Sequence, residues 1–143
     1  MSDVLVDSSV WISFFRGTKG EERIAEALDY LLTADEAVIN EAIKSELAPS
    51  LIAHDEDATV LDVVRCTVPG IDWESVRQLQ VKCLKNGINK VGLVDLIIAR
   101  DAIDRKLPLF TMDRHFKLIA EIEPELVLWP HCGQEGEIRW LQR

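Results

Sequence analysis

Residues 4–15, VLVDSSVWISFF, set the reading of the whole chain. Val4-Leu5-Val6 is a short, wholly apolar run of strand formers that stops at an acid, Asp7. Ser8 or Ser9 is placed to cap a helix that carries Val10, Trp11, Phe14 and Phe15. A buried strand passing directly into a helix is the first half of a β-α-β unit, and the sequence beyond repeats the alternation.

Arg16 to Gly20 reads as a loop, and Glu21 to Leu32 as a helix with Ile24, Leu28, Leu31 and Leu32 on one face. Ala37 to Asn40 reads as a second strand, followed by a helix from Glu41 to Ala53 that bends or restarts at Pro49. The polar turn His54-Asp55-Glu56-Asp57 caps a further helix through Val64, and Cys66-Thr67-Val68 makes a weak third strand before Pro69-Gly70. Asp72 to Lys85 is an amphipathic helix that stops at Asn86-Gly87. Leu93 to Ile103 is the most apolar helix, with Asp95 near its start. Pro108 to Thr111 reads as a fourth strand, Arg114 to Ala120 as a short helix, and Leu126 to Trp129 as a fifth strand.

Apolar strands alternating with helices imply a parallel sheet covered on both faces. In such sheets ligands bind beyond the carboxyl ends of the strands, where the strand order reverses. Acids at strand ends and helix starts are therefore expected to converge on one cleft.

At 143 residues the chain is expected to form one domain over 1–143, with 130–143 as a C-terminal extension. No apolar run approaches the roughly 20 residues of a membrane span, and no basic segment precedes an apolar one as in a secretory signal. Cys66, Cys83 and Cys132 are odd in number and widely spaced, which fits reduced thiols of a cytoplasmic protein better than a disulfide framework. The net charge of −9, 16 basic against 25 acidic residues, opposes nucleic-acid binding unless clustered carboxylates hold cations that invert the local field.

Four acids are the candidates. Asp7 ends the first strand, Asp113 follows the fourth by two residues, Asp95 is flanked by Leu93, Val94, Leu96, Ile97 and Ile98, and Glu46 lies in the helix after the second strand. Singly, each has an ordinary explanation as a helix cap or a solvated residue. Together they would repel one another at one sheet edge unless a cation occupied it. Oxygen ligands point to Mg2+ or Mn2+ rather than zinc. His54, His115 and His131 lack zinc-site spacing and are expected on the surface. A carboxylate-held divalent ion suits hydrolysis or transfer at a phosphate.

The segments VLVDSSVWISFF, NEAIKSEL, VGLVDLIIARDAI and LPLFTMDRHFKLIA resemble the four motifs of PIN-domain ribonucleases, above all the VapC-type toxins of toxin–antitoxin pairs. The resemblance runs from Val4 to about Trp129. It implies a three-layer α/β sandwich with a parallel sheet of about five strands in order 3-2-1-4-5. It also implies an Mg2+- or Mn2+-dependent endoribonuclease whose catalytic residues fall on Asp7, Glu46, Asp95 and Asp113, with Asp7, Asp95 and Asp113 as metal ligands. Glu41 is a rival for the glutamate role, although Ser45-Glu46-Leu47 fits the motif better. Thr111 matches a small hydroxyl residue that can bond a carboxylate or a water; Ser8 or Ser9 can do likewise, with helix capping the favoured role for either.

Basic residues fall in three groups: Arg16, Lys19 and Arg23; Lys82, Lys85 and Lys90; Arg114, His115 and Lys117. Each is a solvated face by default, and Arg114 and Arg16 are the expected phosphate contacts on an RNA selected by shape. The resemblance further implies a cognate antitoxin protein as partner and a homodimer. Three other readings compete: a PIN nuclease in RNA processing or DNA repair, a degenerate PIN fold that only binds, and a phosphatase or phospho-acceptor on a similar sheet. The phosphatase wants a second Asp two residues after Asp7, where Ser9 stands; the phospho-acceptor wants a Lys at a late strand's end, where Thr111 and Trp129 stand.

Overall fold

In the computed structural model, which describes residues 3–130, β1 (Val4–Val6) lies at the centre of a parallel sheet. It pairs on one side with β2 (Ala37–Asn40) and on the other with β4 (Leu109–Phe110), while β3 (Arg65–Thr67) pairs with the outer edge of β2. The order β3-β2-β1-β4 reverses between β1 and β4, so the switch point lies between the strands that end in Asp7 and in Thr111-Met112-Asp113. Every residue of β1, β2 and β4 is buried, as expected for strands covered on both faces by helices.

The expected order holds for four strands, and the fifth is a correction. Leu126 to Trp129 does not form a ladder; Leu128 makes one isolated parallel bridge to Leu109. β4 is only two residues long, and the Leu109 N–H and C=O take up Val127 O and Trp129 N, after which no strand length remains to pair.

The covering helices are α1 (Ser8–Arg16), α2 (Glu22–Thr33), α3 (Glu41–Ala53), α4 (Trp73–Lys85), α5 (Leu93–Asp104) and α6 (Arg114–Ile122). Three details differ from expectation. Asp7, not a serine, caps α1, because its extended backbone lets its carboxylate accept from Ser9 N. Pro49 lies within an uninterrupted α3. The segment after Asp57 forms only a 3-10 turn, Thr59–Asp62, with Asp57 accepting from Thr59 N. No helix among the described residues is long and apolar enough to cross a membrane. Cys66 and Cys83 are free thiols; His131, Cys132 and the rest of the expected extension lie outside the described residues.

Buried polar bonds fix the helices that bring acids to the carboxyl edge. Trp11, fully buried, donates from Nε1 to Val6 O at 3.1 Å and so ties α1 to the end of β1. Asn40, also fully buried, caps α3 by accepting from Ile43 N and donates from Nδ2 to Asp101 Oδ2 at 2.8 Å. Asp101 in turn takes two bonds from the guanidinium of Arg105. This non-local bond holds the start of α3 against α5, the helices of Glu46 and Asp95.

Candidate active site

Asp7 is 3% exposed, at the point where the last sheet residue of β1 gives way to α1. Its Oδ2 accepts from Ser9 Oγ at 2.8 Å and from Thr111 Oγ1 at 2.9 Å. Each hydroxyl, having given its proton to Asp7, accepts from the chain beyond β4: Ser9 Oγ from Met112 N, and Thr111 Oγ1 from Asp113 N, both at 3.0 Å. The four bonds lock the ends of β1 and β4 together across the switch point. Ser9 thus bonds the carboxylate, the less favoured of its two expected roles.

Asp113 is half-buried and caps α6, with Oδ1 accepting from His115 N at 2.9 Å. Asp95 stands in the first turn of α5, whose N-cap is Gly92 without a side-chain bond, and a carboxylate oxygen of Asp95 lies within 4.8 Å of ligand atoms of Asp113 and His115. Glu46 projects from the second turn of α3, and its Oε1 accepts from Ser8 Oγ at 3.4 Å. Glu41, its rival, instead accepts from Cys66 Sγ at the sheet's outer edge.

Electrostatics bind the four acids into one group. Burial pushes the Asp7 carboxyl above the usual range, against the pull of its bonds to Ser9 and Thr111. Glu46 is raised by burial and then by the charges of Asp7, Asp95 and, least, Asp113. Asp95 is raised by burial and then by Asp113 and Asp7, with His115 acting the other way. Two acids, Glu46 and Asp95, are held up partly by the charges of their neighbours and Asp7 by burial, which fits a site that a divalent cation would relieve, and the predominance of oxygen donors suits Mg2+ or Mn2+.

The structure does not bring together every residue singled out in the sequence. Arg16 ends α1, about 13 Å along the helix from Asp7, where it faces Glu56 at 3.6 Å. Lys82 is paired with Glu123. Arg114 and Lys117 do line a cavity of about 290 Å³ that begins at Thr111 and Asp113 and is walled by Phe110, Leu128 and Trp129. His115, expected on the surface, is half-buried with Nδ1 3.2 Å from Asp113 Oδ1. A histidine two residues after a strand-end aspartate gave the only sequence signal of that contact.

The family model for the PIN domain matches residues 4–122. Several solved structures share the fold. VapBC2 from Rickettsia felis bound to a DNA fragment from its promoter is 16% identical, with 87% of this chain and 96% of that chain covered and a TM-score of 0.66. FitAcB from Neisseria gonorrhoeae is 20% identical, covering 89% and 97%, with a TM-score of 0.65. A toxin–antitoxin complex from Klebsiella pneumoniae is 18% identical, covering 87% and 96%, with a TM-score of 0.61. No curated protein matches the sequence. At such identities the structural likeness carries the fold alone.

Proposed function

This chain belongs to the PIN-domain family, and we propose that it is a divalent-metal-dependent endoribonuclease acting as the toxin of a toxin–antitoxin pair. The observation that carries the reading is the convergence of Asp7, Glu46, Asp95 and Asp113 on the switch-point edge, where burial raises Asp7 and burial together with the neighbouring acids raises Glu46 and Asp95. Asp7, Asp95 and Asp113 hold a Mg2+ or Mn2+ ion in this reading. When bound, such an ion supplies charge neutralisation at the scissile phosphate and activation of water for in-line attack.

The chain's own residues do the rest. Ser9 and Thr111 hold Asp7 in place through one oxygen, Oδ2, and leave the other without a bond to either hydroxyl. Glu46, exposed and already raised, is suited to accept a proton from the attacking water. Arg114 and Lys117 give the rim of the adjoining cavity a positive charge that an RNA phosphate can meet. Arg16, facing Glu56 at the far end of α1, is given no phosphate contact in this reading.

The toxin assignment draws on the three structures of like fold, of which the Klebsiella pneumoniae one is described as a toxin–antitoxin complex. We extend it to a cognate antitoxin protein and a homodimer acting in the cytoplasm. The activity is tested by incubating labelled RNA with the purified protein in Mn2+ or in chelator. Cleavage in Mn2+ alone, lost in Asp7→Asn, is the expected result; equal cleavage by wild type and variant would overturn the site. The toxin role is tested separately. Expression of the chain should arrest growth and co-expression of the adjacent gene should restore it.

A further inference from the structure

The histidine expected on the surface stands beside two of the proposed metal ligands, Asp95 and Asp113. One ligand atom from each of Asp95, Asp113 and His115 can be chosen such that all three lie within 4.8 Å of one another. In an octahedral shell with ligands at about 2.1 Å, neighbouring ligand atoms are about 3.0 Å apart and opposite ones about 4.2 Å. The 3.2 Å between His115 Nδ1 and Asp113 Oδ1 is the spacing of two adjacent ligands. The ring is not needed for the cap of α6, because the backbone N of His115 already donates to Asp113 Oδ1.

We propose that His115 is a nitrogen ligand of the divalent ion held by Asp95 and Asp113, and that the site therefore selects a transition-metal ion such as Mn2+ or Co2+ over Mg2+. The inference rests on the metal-site reading above and replaces its all-oxygen donor set with a mixed one. An imidazole is neutral, so it completes the shell without adding to the repulsion among the acids. It is also a softer donor than carboxylate, and affinity for nitrogen-containing sites rises along the first transition row, whereas Mg2+ keeps to oxygen and water. Asp7 differs from this trio. Its Oδ2 is committed to Ser9 and Thr111, and it is more deeply buried than the other two acids, so its part in the shell is through its remaining oxygen.

The test uses the full chain without RNA, loaded with Mn2+ alone, and compares wild type, His115→Ala and Asp95→Asn. Pulsed electron paramagnetic resonance of the wild-type Mn2+ form should show coupling to a directly bound nitrogen, and this signal should vanish in His115→Ala. Calorimetric titration should show His115→Ala weakening Mn2+ by on the order of tenfold or more, and Mg2+ by less than about threefold. Thermal unfolding of both variants without metal establishes that each is folded. Mn2+ uptake without nitrogen coupling, still abolished by Asp95→Asn, would remove His115 from the shell and leave the acidic site standing. Absence of Mn2+ uptake by wild type would overturn the metal site and this inference together.

Discussion

Replacing Asp95 by Asn should make the metal-free protein more stable while destroying its activity, and the size of the gain follows from the site's geometry. Carboxylates whose oxygens lie no more than 4.8 Å apart repel by about 3 kcal/mol at an effective dielectric near 20. Asp95 and Asp113 are only half-buried, so solvent reduces this to roughly 1–2 kcal/mol. Against it stands the favourable interaction of an acid with the first turn of α5, roughly 0.3–1 kcal/mol, which the neutral amide gives up. The net gain is about 1 kcal/mol, or about 2–4 °C in Tm for a domain of this size.

The pH dependence has a definite sign. Asp7, Glu46 and Asp95 hold protons to higher pH in the folded state than in the unfolded chain. Their contribution to stability is complete below the ordinary carboxylate values of 3.8 and 4.5 and is lost as pH rises through the raised ones. Thermal unfolding in chelator should therefore show Asp95→Asn above wild type at neutral pH, with the gap closing toward pH ~4. Saturating Mn2+ should reverse the order, since about a hundredfold excess over Kd stabilises only the form that binds it, by about 2.7 kcal/mol. A metal-free Asp95→Asn that melts below wild type at neutral pH would refute the reasoning.

Further substitutions test the neighbouring assignments. Glu46→Gln should lower kcat on the order of a hundredfold, whereas Glu41→Gln, which alters a contact with Cys66, should leave RNA cleavage within about threefold of wild type. Thr111→Val removes the donor to Asp7 and the acceptor of Asp113 N; urea unfolding should register a loss of about 1–2 kcal/mol, and cleavage should fall as well. Asp101→Ala strands Arg105 and the buried amide of Asn40, and should cost about 3 kcal/mol in the same assay.

The parts of this protein that could be read from sequence are those set by local pattern. Val4–Val6 and Ala37–Asn40 are apolar throughout because both sheet faces are covered, and such runs announce themselves. The convergence of Asp7 and Asp113 followed from the rule for parallel sheets, without coordinates. Where the reading went astray, a longer-range fact decided. Leu126–Trp129 is apolar to pack Trp129 on Phe110, their ring centroids 4.9 Å apart, and apolarity alone does not tell a packed segment from a paired one. Arg16 was drawn toward the cleft by nearness in sequence, although a nine-residue helix carries it to the far end. The Asn40–Asp101 bond joins residues 61 apart and left no signal. His115 entered the acid group because Asp113 caps the helix that carries it, a detail of side-chain geometry that spacing does not encode.

In the function proposed above, this acidic edge hydrolyses RNA with a metal-activated water. The ends of the cleaved RNA report on it most directly. Mass spectrometry of an oligoribonucleotide cut in Mn2+ should find linear ends, a 5′-phosphate and a 3′-hydroxyl, because water attacks phosphorus and the 3′-oxygen departs. The same products should be absent with Asp95→Asn. A 2′,3′-cyclic phosphate from the wild-type protein would mean that the neighbouring 2′-hydroxyl, not water, is the nucleophile, and would contradict the claim.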